Sequence, residues 1–110
     1  MDPDRAKNLS RFRGVAQKLG TTPEALEAAY VAARKDNPNL THGQFIAANV
    51  VAHNLSAKNP NITAQAILDG LKSGKSIGQT LHGLGLSAKD ARDAEQAATH
   101  EADEAEKTAG

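Results

Sequence analysis

The sequence contains no cysteine, which excludes several kinds of site at once. Disulfide bonds, thiolate catalysis, cysteine-ligated zinc and covalently attached c-type haem all require that residue. Aromatic residues are also scarce, since Phe12, Tyr30 and Phe45 are the only three. The core of this 110-residue chain must therefore be built mainly from leucine, isoleucine, valine and alanine, and the length predicts a single domain.

Long apolar segments are missing as well. No run approaches the roughly 20 apolar residues that a membrane span requires, so no membrane span is predicted. The N-terminal segment MDPDRAKNLSRFR has no apolar stretch before a small-residue cleavage site, and no signal peptide is visible. The default expectation is a cytoplasmic protein, with an exported mature chain as the alternative.

The net charge is zero, but opposite charges lie at the two ends of the chain. Residues 1–20 carry a net charge of +3, and residues 89–110 carry a net charge of −4. Two interpretations follow. In the first, the basic first helix and the acidic last helix face each other or are simply solvated. In the second, the two ends interact with partners.

Helix start and stop signals divide the chain into about six helices. The first runs from about residue 4 to residue 19 with an apolar stripe at three- and four-residue spacing, and Gly20 ends it. Thr22 and Pro23 are suited to cap and begin the second helix, which stops before Asn37. Strand-like alternation is absent, so the predicted fold class is all-α.

The phrase Asn-Pro-Asn-aliphatic-Thr occurs twice, at residues 37–41 and 59–63. Proline disfavours a helical residue before it, the second asparagine suits a turn, and threonine is a good N-cap. Each phrase therefore predicts a helix end, a turn and a new helix start within five residues. Between them, residues 44–55 are apolar around most of the helix circumference, which predicts a central, buried helix.

The remaining helices are predicted from residue 64 onwards, with capping residues at Ser76 and Ser87. We expect a compact bundle over residues 1–88 and, within the same domain, a longer acidic helix over residues 89–110 that partly projects. The inward stripe of that helix offers little area for burial, because it consists of small side chains. We predict this stripe as an interaction surface, formed by Ala91, Ala94, Ala98, Ala102 and Ala105.

Four histidines raise the question of a metal site, but none has a second histidine three or four residues away, and HExxH is absent. The weak candidates are His53, interpreted as a hydrogen-bonded polar group of the central helix, and His100 with Glu104 on one face of the last helix. No nucleophile–base pair or paired carboxylates are recognisable either. We predict no enzymatic activity, no catalytic residue, no metal and no cofactor.

A helix-turn-helix is the main competing interpretation. Residues 77–94 and residues 15–26 both have suitable spacing, with glycine in the turn. The would-be recognition helix is net acidic in the first case and begins with Glu24 and Glu27 in the second, and phosphates repel such charges. Nucleic acid is therefore a disfavoured partner. A DNA-binding protein is kept as the first alternative, and a weak metal- or small-ligand-binding protein as the second.

The segment GQFIAANVVAHNL at residues 43–55, followed by SIGQTL at residues 76–81, resembles a pattern in small uncharacterised bacterial all-helical proteins. The resemblance covers about residues 40–107. Such proteins are often exported and have an acidic helical tail rich in alanine, lysine and glutamate, so the resemblance favours export and a helical fold. It implies no functional residue.

Taken with the missing catalytic arrangement, the alanine stripe and the oppositely charged ends favour a non-enzymatic helical binding or assembly module. Alanine stripes let helices approach closely, and complementary ends can pair between copies. The expected partner is another protein, including a second copy in a homo-oligomer.

Overall fold

The fold comes from a computed structural model, which describes the backbone of residues 3–109 and the side chains of residues 9–10 and 12–104. Over residues 3–109 the chain forms six helices and no strand, so the predicted all-α class is confirmed. The helices are α1 (Pro3–Leu19), α2 (Pro23–Asp36), α3 (His42–Leu55), α4 (Ala64–Lys72), α5 (Ile77–Gly83) and α6 (Ala88–Ala109).

The helices begin where the capping residues predict. Thr41 and Gln44 form a capping box at the start of α3: Thr41 Oγ1 accepts a hydrogen bond from Gln44 N at 3.1 Å, and Gln44 Oε1 accepts one from Thr41 N at 3.1 Å. Ser76 and Gln79 form the same reciprocal pair at the start of α5. These bonds satisfy backbone donors that the first helical turn leaves without a partner inside the helix.

The two Asn-Pro-Asn phrases adopt matching turns. Leu40 N donates to Asn37 O at 3.0 Å, and Ile62 N donates to Asn59 O at 2.9 Å. Leu40 and Ile62 are both buried in the core. The aliphatic residue of each phrase therefore anchors its turn to the bundle, while the threonine after it caps the next helix.

The central position of α3 is evident from its burial. It packs against α1, α4 and α6. Six of its 14 residues are buried, namely Phe45, Ile46, Ala47, Ala48, Val50 and Val51. A helix that is apolar around most of its circumference can bury that surface only when neighbours cover it on several sides.

The three aromatic residues meet near the N-terminal end of α3. Phe12 lies 5.8 Å from Tyr30 and 5.6 Å from Phe45 between ring centroids, and Tyr30 lies 5.4 Å from Phe45. His42 stacks on the Tyr30 ring at 4.3 Å. Since edge-to-face and offset aromatic contacts add to the effect of burial alone, this cluster joins α1, α2 and α3.

The last helix, α6, packs against α3, α1 and α5. Its alanines at 91, 98 and 102 are buried, and Ala94 is partly buried. Small side chains allow the axes of packed helices to approach closely, so even an alanine stripe can be covered by the bundle. From its start to Ala102, α6 therefore lies on the bundle, whereas the side chains of residues 105–110 lie outside the described part of the chain.

Candidate functional site

The residues considered as weak metal ligands lie on the surface. His53 is exposed on α3, and His100 and Glu104 are exposed on α6. The interpretation of His53 as a core polar group is wrong, because Val50, Val51 and their neighbours take the buried side of α3. Among the residues that the structure describes, no three histidine, aspartate or glutamate side chains are grouped so that they could hold a metal ion.

The alanine stripe of α6 makes its contacts within the chain. Ala91, Ala98 and Ala102 are buried and Ala94 is partly buried, whereas the side chain of Ala105 is not described. A second chain could reach the buried alanines only if α6 left the bundle. In the single chain these alanines pack between helices, and their predicted role in binding a second chain stays a prediction.

Charged residues of α6 are also used inside the protein. Lys18 of α1 forms an ion pair with Glu101, so the basic first helix and the acidic last helix meet at this pair. Glu95 Oε2 accepts a hydrogen bond from Gly78 N at 2.8 Å, at the start of α5. A carboxylate at a helix N-terminus is favoured by the exposed backbone donors there. Two of the acidic groups thus stabilise the bundle itself.

The outer surface of α2 is apolar and exposed, and the sequence analysis missed it. Leu26 and Tyr30 point into the core, and α2 packs mainly against α1. Its exposed apolar residues are Ala25, Ala28, Ala29, Val31 and Ala32. We call these five residues the α2 face.

Val31 distinguishes the α2 face from an ordinary helix surface. With 41% of its surface exposed, it is the one exposed large hydrophobic side chain among residues 9–10 and 12–104. The sequence already indicated this apolar surface, because the six residues between Glu27 and Arg34 carry no charge. A helix that is solvated on its outer side usually has charged residues there.

A groove of about 650 Å³ runs beside the α2 face, between α2 and α4. Leu40, Phe45 and Leu68 line it, and alanines of α2 and α4 contribute to its walls. The amide of Asn49 also faces the groove and donates a hydrogen bond to Phe45 O at 2.9 Å. We call this feature the α2–α4 groove.

An ion pair connects α2 and α4 at one end of the groove. Lys72 Nζ lies 2.9 Å from Asp36 Oδ1, and both side chains are exposed. The hydrogen bond to Asp36, together with the charge of that carboxylate, raises the pKa of Lys72 above its ordinary value of 10.5. Lys72 is therefore a fixed positive charge at this end of the groove.

Among the described side chains, the start of the second helix in each possible helix-turn-helix unit has no basic cluster. In the α1–α2 pair, the second helix begins with the exposed Glu24 and continues into the uncharged α2 face. In the α5–α6 pair, the exposed residues at the start of α6 alternate in sign: Lys89, Asp90, Arg92 and Asp93. A phosphate backbone is bound by clusters of basic groups. These surfaces therefore give less support to DNA binding than to protein binding.

Within residues 3–109, no helix combines the length and apolar character needed to cross a bilayer. Comparison with protein-family models, curated proteins and solved structures found no match to this chain.

Proposed function

We propose that this protein is a non-enzymatic helical module that binds another protein chain through helix–helix contacts at the α2 face. The exposure of Val31 among four exposed alanines carries the proposal. Exposed apolar surface that is contiguous rather than scattered is typical of interaction sites. When two packed helices carry small side chains, their axes can approach to about 8–10 Å, and many side-chain contacts form.

The structure of α2 suits this role. The helix is held in place from behind by Tyr30, which lies in the aromatic cluster with Phe12 and Phe45. Arg34 adds a cation–π contact, 5.8 Å from the Tyr30 ring centre, and a hydrogen bond of 3.2 Å to Pro38 O. A partner helix therefore meets a surface that is already ordered, and little conformational entropy is lost on binding.

Binding of a small apolar ligand is a second candidate, favoured by the α2–α4 groove. Its volume of about 650 Å³ lies within the usual range for ligand sites. Leu40, Phe45 and Leu68 provide apolar contacts, and Asn49 provides a polar group. Titration with the apolar dye 8-anilinonaphthalene-1-sulfonate, compared between the original chain and a Leu68→Glu variant, tests it. Equal dye fluorescence in both would reject the groove as the site.

Site-specific photo-crosslinking tests the principal proposal. Benzoylphenylalanine is placed at Ala32 on the α2 face or, as a matched control, at Ala97, which is exposed on α6. Both chains are produced in cells that naturally contain the protein and are then irradiated. We expect a protein adduct from position 32 that is missing from position 97. No adduct at position 32, or the same adducts at both positions, would refute a binding role of this face.

A further inference from the structure

One line of exposed residues on α2 has the spacing of a helix–helix seam. Glu24, Ala28, Val31 and Lys35 are separated by four, three and four residues, and all four are exposed. This spacing places them along one side of the helix, as the seam positions of packed helices require. We call these four residues the α2 seam. It has an acidic residue at one end, a basic residue at the other, and one small and one larger apolar residue between them.

The α2 seam is complementary to itself when two copies run antiparallel. Its midpoint lies between residues 29 and 30, which is also the midpoint of α2 (Pro23–Asp36). Rotation by half a turn about this midpoint places Glu24 opposite Lys35 of the second copy, and Ala28 opposite Val31 of the second copy. Opposite charges then meet twice, and each valine faces an alanine. A parallel pair would instead place Glu24 against Glu24 and Lys35 against Lys35.

From this geometry we infer that the partner at the α2 face is a second copy of the same chain, docked antiparallel across a twofold axis. The inference rests on the proposed function and specifies its partner. An interface that uses the same patch on both copies must be self-complementary, which the α2 seam is. The charge complementarity comes from the Glu24–Lys35 pairs, because each side chain has the sign opposite to the helix end on which it lies and so offsets the helix dipole there.

The size of the contact determines the kind of dimer expected. The 14 residues of α2 form a helix about 21 Å long. A contact based on one helix of this length buries less surface than the roughly 1,200–2,000 Å² of a stable interface. We therefore expect a dimer that forms at high protein concentration, dissociates on dilution and weakens at high salt, because its terminal ion pairs are exposed.

Charge exchange in the full chain tests the inference by sedimentation equilibrium at low salt. Glu24→Lys and Lys35→Glu each replace two attractive pairs by two repulsive ones, and each is expected to raise the dimer Kd by roughly tenfold. The double variant restores opposite charges at both ends, and its Kd is expected to return to near the original value. Lys89→Glu, at an exposed position near the start of α6, a helix that packs against α1, α3 and α5, is the control and is expected to leave the Kd unchanged.

Val31→Lys tests the centre of the α2 seam, and Val31 is exposed, so the substitution leaves the core intact. It is expected to abolish the dimer while the circular dichroism spectrum stays that of the original chain. A chain that is monomeric at high concentration, or single charge exchanges that leave the Kd unchanged, would overturn the inference. Failure of the double variant to restore the dimer would overturn the antiparallel register.

The crosslinking experiment separates this inference from the proposed function. An adduct of two copies at position 32 supports both. An adduct with a different protein, in a chain that sediments as a monomer, refutes the self-association and leaves the protein-binding role in place. No adduct at that position, together with a monomer, refutes both.

Discussion

Gly70 of α4 and Thr80 of α5 lie in contact, with no room for a side chain on the glycine. A Cβ atom at position 70 would come within 2.0 Å of Thr80 Oγ1 and within 2.6 Å of its Cγ2. The hydroxyl is held in this position, because Thr80 Oγ1 donates a hydrogen bond of 2.9 Å to Ser76 O. Both residues are buried, so the close approach of α4 and α5 depends on the absence of a side chain at Gly70.

The first prediction is that Gly70→Ala destabilises the protein. Alanine favours a helix over glycine by up to about 1 kcal/mol, but overpacking a buried contact typically costs about 1–3 kcal/mol. We expect the contact with Thr80 to dominate and the free energy of unfolding to fall, as measured by urea denaturation. Adding Thr80→Ala to Gly70→Ala removes Oγ1 and Cγ2 of Thr80, the two atoms closest to the new Cβ. The double variant is therefore expected to recover part of the lost free energy of unfolding. Additive effects of the two substitutions would contradict this account.

The second prediction concerns the centre of the core. Val50 has none of its surface exposed, so Val50→Asp places a charge where neither water nor a partner can compensate it. Leaving a buried charge uncompensated costs about 3–5 kcal/mol, a large part of the stability of a small domain. We expect loss of the cooperative thermal transition in circular dichroism. Val31→Asp makes the same chemical change at an exposed position and is expected to keep the transition.

The third prediction concerns the threonines that end the two Asn-Pro-Asn phrases. Thr41 Oγ1 accepts a hydrogen bond from Gln44 N, and Thr63 Oγ1 accepts one from Ala66 N, both at 3.1 Å. Removing an N-cap typically costs about 1 kcal/mol, so Thr41→Ala and Thr63→Ala are each expected to lower the urea midpoint. Thr99→Ala, at an exposed position within α6, is the comparison and is expected not to lower it, because alanine favours a helix over threonine. An equal fall in all three variants would show that capping is not the cause.

The fourth prediction concerns the ion pair at the end of the α2–α4 groove. Since Asp36 raises the pKa of Lys72 above 10.5, the stabilising contribution of the pair is complete below that pH and is lost as the pH rises through the folded-state pKa. Nitrogen-detected NMR titration of the Lys72 ammonium is expected to show the raised pKa. In Asp36→Asn the pKa is expected to return towards 10.5. An unchanged titration in that variant would exclude Asp36 as the cause.

The helix ends were predictable because they depend on residues within a few positions of one another. Gly20 has a φ of +70°, a conformation that glycine adopts without strain, and it ends α1 as predicted. Thr41 and Ser76 act as caps through bonds to residues three positions ahead. Because such groups are close in sequence, their hydrogen-bond partners can be predicted without knowing the fold.

The surfaces were predicted less well, because exposure depends on which helices meet. The alanine content of α6 predicted a poorly buried stripe, yet α1, α3 and α5 cover Ala91, Ala98 and Ala102. Helix α2 is also rich in alanine, but four of its five alanines are exposed, because α2 packs mainly against α1. Composition cannot distinguish these cases, since burial of a small side chain depends on the presence of a neighbouring helix.

The two Asn-Pro-Asn phrases separate what the sequence determined by itself from what the tertiary structure decided. Both phrases specify the same turn and the same cap, since proline geometry and short-range hydrogen bonds act within five residues. Their second asparagines nevertheless differ. The backbone N–H of Asn39 donates a hydrogen bond to Asn37 Oδ1, two residues earlier, at 3.3 Å. The side-chain Nδ2 of Asn61 instead donates to the distant Leu84 O at 2.7 Å. That second bond spans 23 positions and exists only because packing brings the end of α5 to the turn before α4.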